Sequence, residues 1–321
     1  MYDVVALGEL LIDFVSDGSD RNTNGFIGNP GGAPANVLVA LAKMGRRGAF
    51  IGKVGRDQFG TFLEKTLHEC AVETNGLVFS NTVNTTLAFV HLDSSGDRNF
   101  TFYRNPGADA TLSENEIHFE LIRNAKVFHF GSISMTHDIV RQATLRAVEY
   151  AKRFGVLISY DPNLRLPLWE SSDQAKSVIS SVISSVDILK LSEEELRFLT
   201  DESNLEIGTL HIYEDYKVEL ILVTLGENGC FYRFNHQTGY VPGVPMQVVD
   251  TTGAGDAFIA GILHKMVDLE DGFSNMSLSI IEEFIRFANV VAALSTMKKG
   301  GIPSMPSLED VNNYSREHQS M

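Results

Sequence analysis

Apolar runs too short for helices recur along the chain at Val4 to Leu7, Ala49 to Ile51, Lys126 to Phe130, Val156 to Tyr160, Ile188 to Leu191 and Leu220 to Thr224. Such runs read as strands buried on both faces of a sheet. Longer stretches between them carry apolar residues at helical spacing: Val37, Leu38, Ala40, Leu41 and Met44 before Gly45, then Phe62 to Cys70, Ile139 to Phe154, Ala175 to Ser184 and Glu193 to Leu199. The alternation predicts an α/β fold, with a mostly parallel central sheet covered by helices on both faces. Open sheets of this kind bind ligands beyond the carboxyl ends of their strands, where Gly226, Gly253 and Asp161-Pro162-Asn163 would fall. Two stretches break the pattern, Asp13 to Phe26 and Thr85 to Arg104. In the second, Leu87, Phe89 and His91, then Phe100, Phe102 and Arg104, alternate around Ser94-Ser95-Gly96-Asp97 and predict a hairpin off the main sheet. With no Pro- or Ser-rich linker, repeat or low-complexity tract, residues 1–321 read as one domain, and serine-rich Ser177 to Ser185 reads as helix.

Composition changes this picture little. The 321 residues are 44% hydrophobic and 21% charged, an ordinary globular balance with enough chain for a large core. A formal net charge of −15 argues against a nucleic-acid partner. Cys70 and Cys230 stand far apart without metal-ligand spacing, so neither a disulfide framework nor zinc is expected, and the compartment reads as reducing. The first residues lack a basic start and reach Glu9 where a secretory leader would be most apolar, so a cytoplasmic protein without a membrane partner is expected.

Candidate chemistry concentrates at Val249-Asp250-Thr251-Thr252-Gly253-Ala254-Gly255-Asp256-Ala257-Phe258. Gly253, Ala254 and Gly255 leave the backbone uncovered at a helix start, where free N–H groups and the helix dipole can receive a phosphoryl group. Asp256 beside that pocket reads as a general base for an attacking hydroxyl, or alternatively as a helix cap. Gly28-Asn29-Pro30-Gly31-Gly32-Ala33-Pro34-Ala35-Asn36 precedes another helix, and the neutral Asn36 there suits a polyol.

These two segments, with Gly52-Lys53-Val54-Gly55-Arg56-Asp57-Gln58-Phe59-Gly60, resemble the signature regions of the ribokinase-like sugar kinases, the family also named after the minor phosphofructokinase. The resemblance runs through the whole chain. Arg98 to Asp109, Asp161 to Trp169 and Leu222 to Cys230 bring it nearest the family's fructokinases. It implies a three-layer fold in which residues 13–26 and 85–104 form a small β lid, often packed on a second subunit, so a homodimer through the lid is expected.

For the acceptor sugar the resemblance points to Asp13, Gly32 and Asn36, with Phe102 and Arg104 on one face of the lid hairpin. Read without it, Asp13 is a turn residue, Phe102 a packing residue and Arg104 an exposed cation. Arg165, in the Asp-Pro-Asn-x-Arg pattern of keto-sugar kinases, would neutralise the transferred group or hold the sugar, and is otherwise a surface arginine. Thr224, Gly226 and Gly229 would admit the nucleotide, with Asn289 in the adenine wall. Lys190, Ser192 and Glu195 resemble the Asn-x-x-Glu element, with Ser192 where asparagine is usual. Glu195 would order water around Mg²⁺, or simply belong to an acidic first turn. Asp250, Thr252, Ser295, Lys298, Gly300 and Ser304 match a monovalent-cation loop, several through backbone carbonyls, so K⁺ joins ATP and Mg²⁺ as an implied cofactor.

The expected activity is ATP-dependent phosphorylation of fructose to fructose 6-phosphate. 2-Keto-3-deoxygluconate kinase is the near alternative, and a non-catalytic sugar or nucleotide sensor on the same fold a more distant one. A dinucleotide oxidoreductase lacks support, because Gly8 to Asp13 carries no Gly-x-Gly-x-x-Gly turn.

Overall fold

The first strand shows how the molecule is layered: Val4 and Ala6 enter one core, Val5 and Leu7 another on the opposite face. A computed structural model describes residues 1–16, 25–92, 98–269, 272–274 and 276–318. Its strands are β1 (Tyr2–Leu7), β2 (Leu11–Ser16), β3 (Phe26–Gly31), β4 (Gly48–Gly55), β5 (Glu73–Ser80), β6 (Leu87–Leu92), β7 (Arg98–Tyr103), β8 (Ala125–Phe130), β9 (Leu157–Tyr160), β10 (Ile188–Ser192), β11 (Leu220–Thr224), β12 (Gly229–Phe234) and β13 (Gln237–Pro242). The helices are α1 (Ala33–Lys43), α2 (Gln58–Glu69), α3 (Phe119–Arg123), α4 (Asp138–Arg153), α5 (Ser172–Ile183), α6 (Glu193–Thr200), α7 (Leu205–Tyr216), α8 (Ala254–Met266), α9 (Leu278–Ser295) and α10 (Leu308–His318).

Nine strands form the main sheet in the order β13-β12-β11-β10-β9-β8-β1-β4-β5. Pairing is parallel from β11 through β5, and β12 and β13 add an antiparallel edge. Every apolar run expected to be a strand is one, because each must satisfy its backbone inside the protein and a ladder does so. Side chains from α1, α2, α8, α9 and α10 join the first core, and those from α3 to α7 the second. The serine-rich stretch is helical from Ser172 to Ile183, with Ala175, Ile179 and Ile183 buried.

A second sheet of four strands runs β3-β2-β6-β7. Its β2–β6 pair is parallel, and the antiparallel β6–β7 pair is the expected hairpin, whose Ser94 to Asp97 turn lies outside the described residues. Residues 17–24, within the first lid stretch, also lie outside them. Among the described residues, no helix is long and apolar enough to cross a membrane.

Candidate active site

Helix α8 starts at Gly253, whose φ of 78° is a left-handed conformation that glycine adopts without Cβ strain. No side chain caps this end, which leaves N–H groups of its first turn for an anion, although that of Ala254 donates to the Thr251 carbonyl at 3.2 Å. Asp256 lies in the first turn and is 6% exposed. Two amides grip its carboxylate: Asn36 Nδ2, from α1, donates to Oδ2 at 2.8 Å, and Asn163 Nδ2 donates to Oδ1 at 3.2 Å. Burial pushes the Asp256 pKa up to about 6; the Asn36 bond opposes the rise, Asp161 adds to it, and Lys190 and Arg165 lower it. A carboxylate poised there accepts a proton near neutral pH.

A cavity of about 190 Å³ lies against Asp256 and brings together Asp13, Gly32, Asn36, Phe102 and Arg165 with Gly253 and Gly255. The double glycine before α1 has two separate jobs. A Cβ on Gly31 would fall 2.2 Å from Asp13 Oδ2, so its absence makes room for that carboxylate. Gly32 has a φ of 123°, and a Cβ on it would meet the Glu9 carbonyl oxygen at 2.3 Å. Arg165 donates to the Leu164 carbonyl at 3.1 Å and also lines a neighbouring cavity of about 740 Å³.

Arg104 sits elsewhere. One residue beyond β7, it is 5% exposed, and its Nε donates to Asp109 Oδ2 at 2.7 Å. Its remaining nitrogens donate to Thr136 Oγ1 at 2.7 Å and the Ile133 carbonyl at 3.2 Å. It does not line the cavity against Asp256; with Phe102 it borders an adjacent one of about 460 Å³. A buried guanidinium must be paired, and Asp109 draws it into the body of the protein.

The nucleotide candidates divide between two cavities. Thr224, Gly226, Gly229 and Asn289 line one of about 500 Å³, together with Ala254 and Gly255 of α8 and with Phe258, Ala292 and Ala293. Asn289 Nδ2 donates to the Pro242 carbonyl at 2.9 Å. An apolar slot ending on an uncapped helix start fits a purine nucleotide with its phosphates on α8. Lys190, Ser192 and Glu195 line the 740 Å³ cavity instead. Ser192 and Glu195 form a capping box on α6: Ser192 Oγ accepts the Glu195 N–H at 3.1 Å, and Glu195 Oε2 accepts the Ser192 N–H at 2.8 Å. Glu195 Oε1 accepts the Leu164 N–H at 2.7 Å. Both oxygens are engaged, which suits an acceptor for metal-bound water better than a direct ligand.

Two of the cation-loop candidates, Thr252 and Gly300, meet Asp250. Its Oδ1 accepts from Thr252 N at 2.9 Å and Thr252 Oγ1 at 2.8 Å, and its Oδ2 accepts the Gly300 N–H at 2.9 Å. Ser295 and Ser304 are buried, their hydroxyls donating to the Ala292 and Gly301 carbonyls, while the Lys298 side chain is exposed. Among the described residues no group of three or more His, Cys, Asp and Glu is arranged for a metal. A single carboxylate amid loop backbone fits a hard monovalent cation rather than a transition metal.

Three site residues had no role assigned from the sequence, although Asp161 and Asn163 fall in the segment expected beyond the strand ends. Asn163 holds Asp256 from an unusual left-handed φ of 47°, which asparagine tolerates. Asp161 lies 2.9 Å from Lys190 Nζ in a buried ion pair. Glu9, 3% exposed, accepts the Ala33 N–H at 2.8 Å on Oε1, and burial raises its pKa to about 7. The available signals were an Asp-x-Asn turn and a lone acid in an apolar stretch.

Comparison with known proteins gives concordant findings. The model of the pfkB family of carbohydrate kinases matches residues 1–308. Fructokinase-1 of Oryza sativa subsp. japonica is 45% identical over 311 residues, covering 96% of each chain. The fructokinase of Xylella fastidiosa, solved with bound ATP, superposes with a TM-score of 0.92 at 32% identity over 100% of both chains. A double mutant of the fructokinase of Vibrio cholerae O395, solved with fructose, ADP and potassium ion, superposes with a TM-score of 0.88 at 32% identity over 98% of both.

Proposed function

The chain belongs to the pfkB family of carbohydrate kinases, and from that membership we propose that it is an ATP-dependent fructokinase with Asp256 as its base. The observation that carries the proposal is the placing of Asp256: buried, held by Asn36 and Asn163, and set between the acceptor cavity and the first turn of α8. Asp13, Gly32 and Asn36 hold the sugar hydroxyls beneath Phe102. The primary hydroxyl of fructose gives its proton to Asp256 as its oxygen bonds to the γ-phosphorus. The bond from that phosphorus to the bridging oxygen breaks, and fructose 6-phosphate and ADP result without a phosphoenzyme.

Gly253, Ala254 and Gly255 offer N–H groups to the transferred phosphoryl group, and Arg165 offers charge. Thr224, Gly226, Gly229 and Asn289 shape the nucleotide cavity. Mg²⁺ would screen the phosphates, with Ser192 and Glu195 ordering its water. The potassium ion of the Vibrio cholerae structure supports a K⁺ held by Asp250, Thr252, Ser295, Lys298, Gly300 and Ser304, mostly through backbone. The four-stranded sheet is the lid of this reading and the face of a homodimer, where Ile27 and Tyr103 are 58% and 65% exposed.

The ion pair that commits Arg104 to Asp109 favours a neutral acceptor, since it leaves an acid sugar one cation fewer beside Arg165 and Lys190, which serve the phosphoryl group in this reading. Arg104 then acts from outside the sugar site, pinning the end of β7 close to Phe102. Rates of ADP release with fructose and with 2-keto-3-deoxygluconate test the choice. Fructose is expected to exceed the acid in kcat/KM by about 100-fold or more. Comparable turnover of the acid would overturn it.

A further inference from the structure

Lys190, on β10, lines both the 190 Å³ acceptor cavity and the 740 Å³ cavity beyond it. It is absent from the lining of the nucleotide cavity. Its side chain is 7% exposed, and Nζ lies 2.9 Å from Asp161 Oδ2, itself on a side chain only 4% exposed. Burial opposes the charge on Lys190, but Asp161, Glu195 and Asp256 outweigh it and raise the pKa, so the group stays an ammonium.

The neighbouring helix is built around this cation. A Cβ on Gly255 would approach Nζ to 2.9 Å and Cε to 3.6 Å, and, its own helix aside, would meet nothing else within 4 Å. Gly255 therefore lets the ammonium lie against the first turn of α8, next to Asp256. The contact with Asp161 is an ion pair at 2.9 Å, and the ammonium carries three N–H donors in all. Glu195 contributes field without competing for these donors, because both its oxygens are held by backbone N–H groups.

We propose that Lys190 is a catalytic residue whose ammonium receives the γ-phosphoryl group on its way to the acceptor, with Asp161 as its positioning residue. The proposal rests on the kinase reading above and adds that Lys190 touches the transferred group but not the ADP portion of the nucleotide. In a loose transition state the three equatorial oxygens of that group carry spread charge, and a preorganised buried cation stabilises it without rearranging. Lys190 stays protonated throughout; the hydroxyl proton goes to Asp256. The same ammonium lowers the pKa of the base.

The test compares the full-length protein with its Lys190→Met variant by calorimetric titration with ADP and with β,γ-methylene ATP, in the absence of sugar. The variant is expected to bind ADP within about twofold of the wild type and the ATP analogue at least about tenfold more weakly. With fructose and ATP, kcat should fall by about 100-fold or more while KM for fructose stays within about threefold. Equal weakening of both nucleotides, or analogue binding within about twofold, would overturn the proposal. If Lys190→Met does not fold, Asp161→Asn decides. That variant should weaken the analogue more than ADP, and unchanged affinities and kcat would refute the positioning. Failure of the wild type to bind either nucleotide would instead refute the kinase reading. Nucleotide binding without fructose-dependent ADP release would refute only the choice of acceptor.

Discussion

Replacing Asp256 by asparagine should move activity and stability in opposite directions. Removing a general base costs about 10²- to 10⁴-fold in rate, so kcat of Asp256→Asn is expected to fall by about a thousandfold. Stability follows from the buried charge. The carboxyl pKa rises from an ordinary 3.8 to about 6 in the folded protein, chiefly through burial. At 1.36 kcal/mol per pH unit, that rise corresponds to about 3 kcal/mol. Between those two values the unfolded chain has released the proton and the native protein still holds it. Stability therefore declines as pH climbs through this window, and the full cost is present above about 6. Asparagine carries no charge to bury, but it sets an N–H against Asn36 or Asn163, a mispairing worth about 1 kcal/mol. The net gain is about 1–2 kcal/mol at pH 8, a melting temperature higher by about 2–4 °C. At pH 5 the native carboxyl is still mostly protonated and only about 1.6 kcal/mol of the cost is present, so the gain should shrink to about 0.6 kcal/mol. Thermal melts at both pH values, alongside ADP release, check this. A variant that melts at or below the wild type at pH 8, or keeps more than about a tenth of its rate, would refute the reasoning.

The pH profile of kcat/KM should show an acid limb near pH 6, since Asp256 must be deprotonated to act; a flat profile down to pH 5 would point to another base. Arg104→Met leaves Asp109 buried without its partner, so stability should drop by about 3–5 kcal/mol in urea unfolding, with a raised KM for fructose where the protein still folds. Exchanging K⁺ for a bulky organic cation should lower activity and loosen nucleotide binding by titration; unchanged values would remove the cation from the account.

Where sequence and structure agree, the signal was local. Each apolar run became a strand because a buried backbone has few other ways to pair, and Gly253 to Asp256 marked its own helix start. The Ser192 and Glu195 spacing was legible as an acidic first turn and proved to be a capping box. What stayed hidden depends on residues distant in the chain. The clasp of Asp256 joins α1, the turn after β9 and α8, and the Lys190 and Asp161 pair joins β10 to the residue after β9. Strand alternation extended through Arg104 placed it on the lid face, but β7 ends at Tyr103 and Asp109 redirects the next side chain.

The identity of the product tests the central claim most directly. Phosphorus NMR of a reaction containing the protein, ATP, Mg²⁺, K⁺ and fructose should show fructose 6-phosphate accumulating in step with ADP, and no such signal with Asp256→Asn. Phosphate on another fructose hydroxyl, or no fructose-dependent ADP, would contradict it.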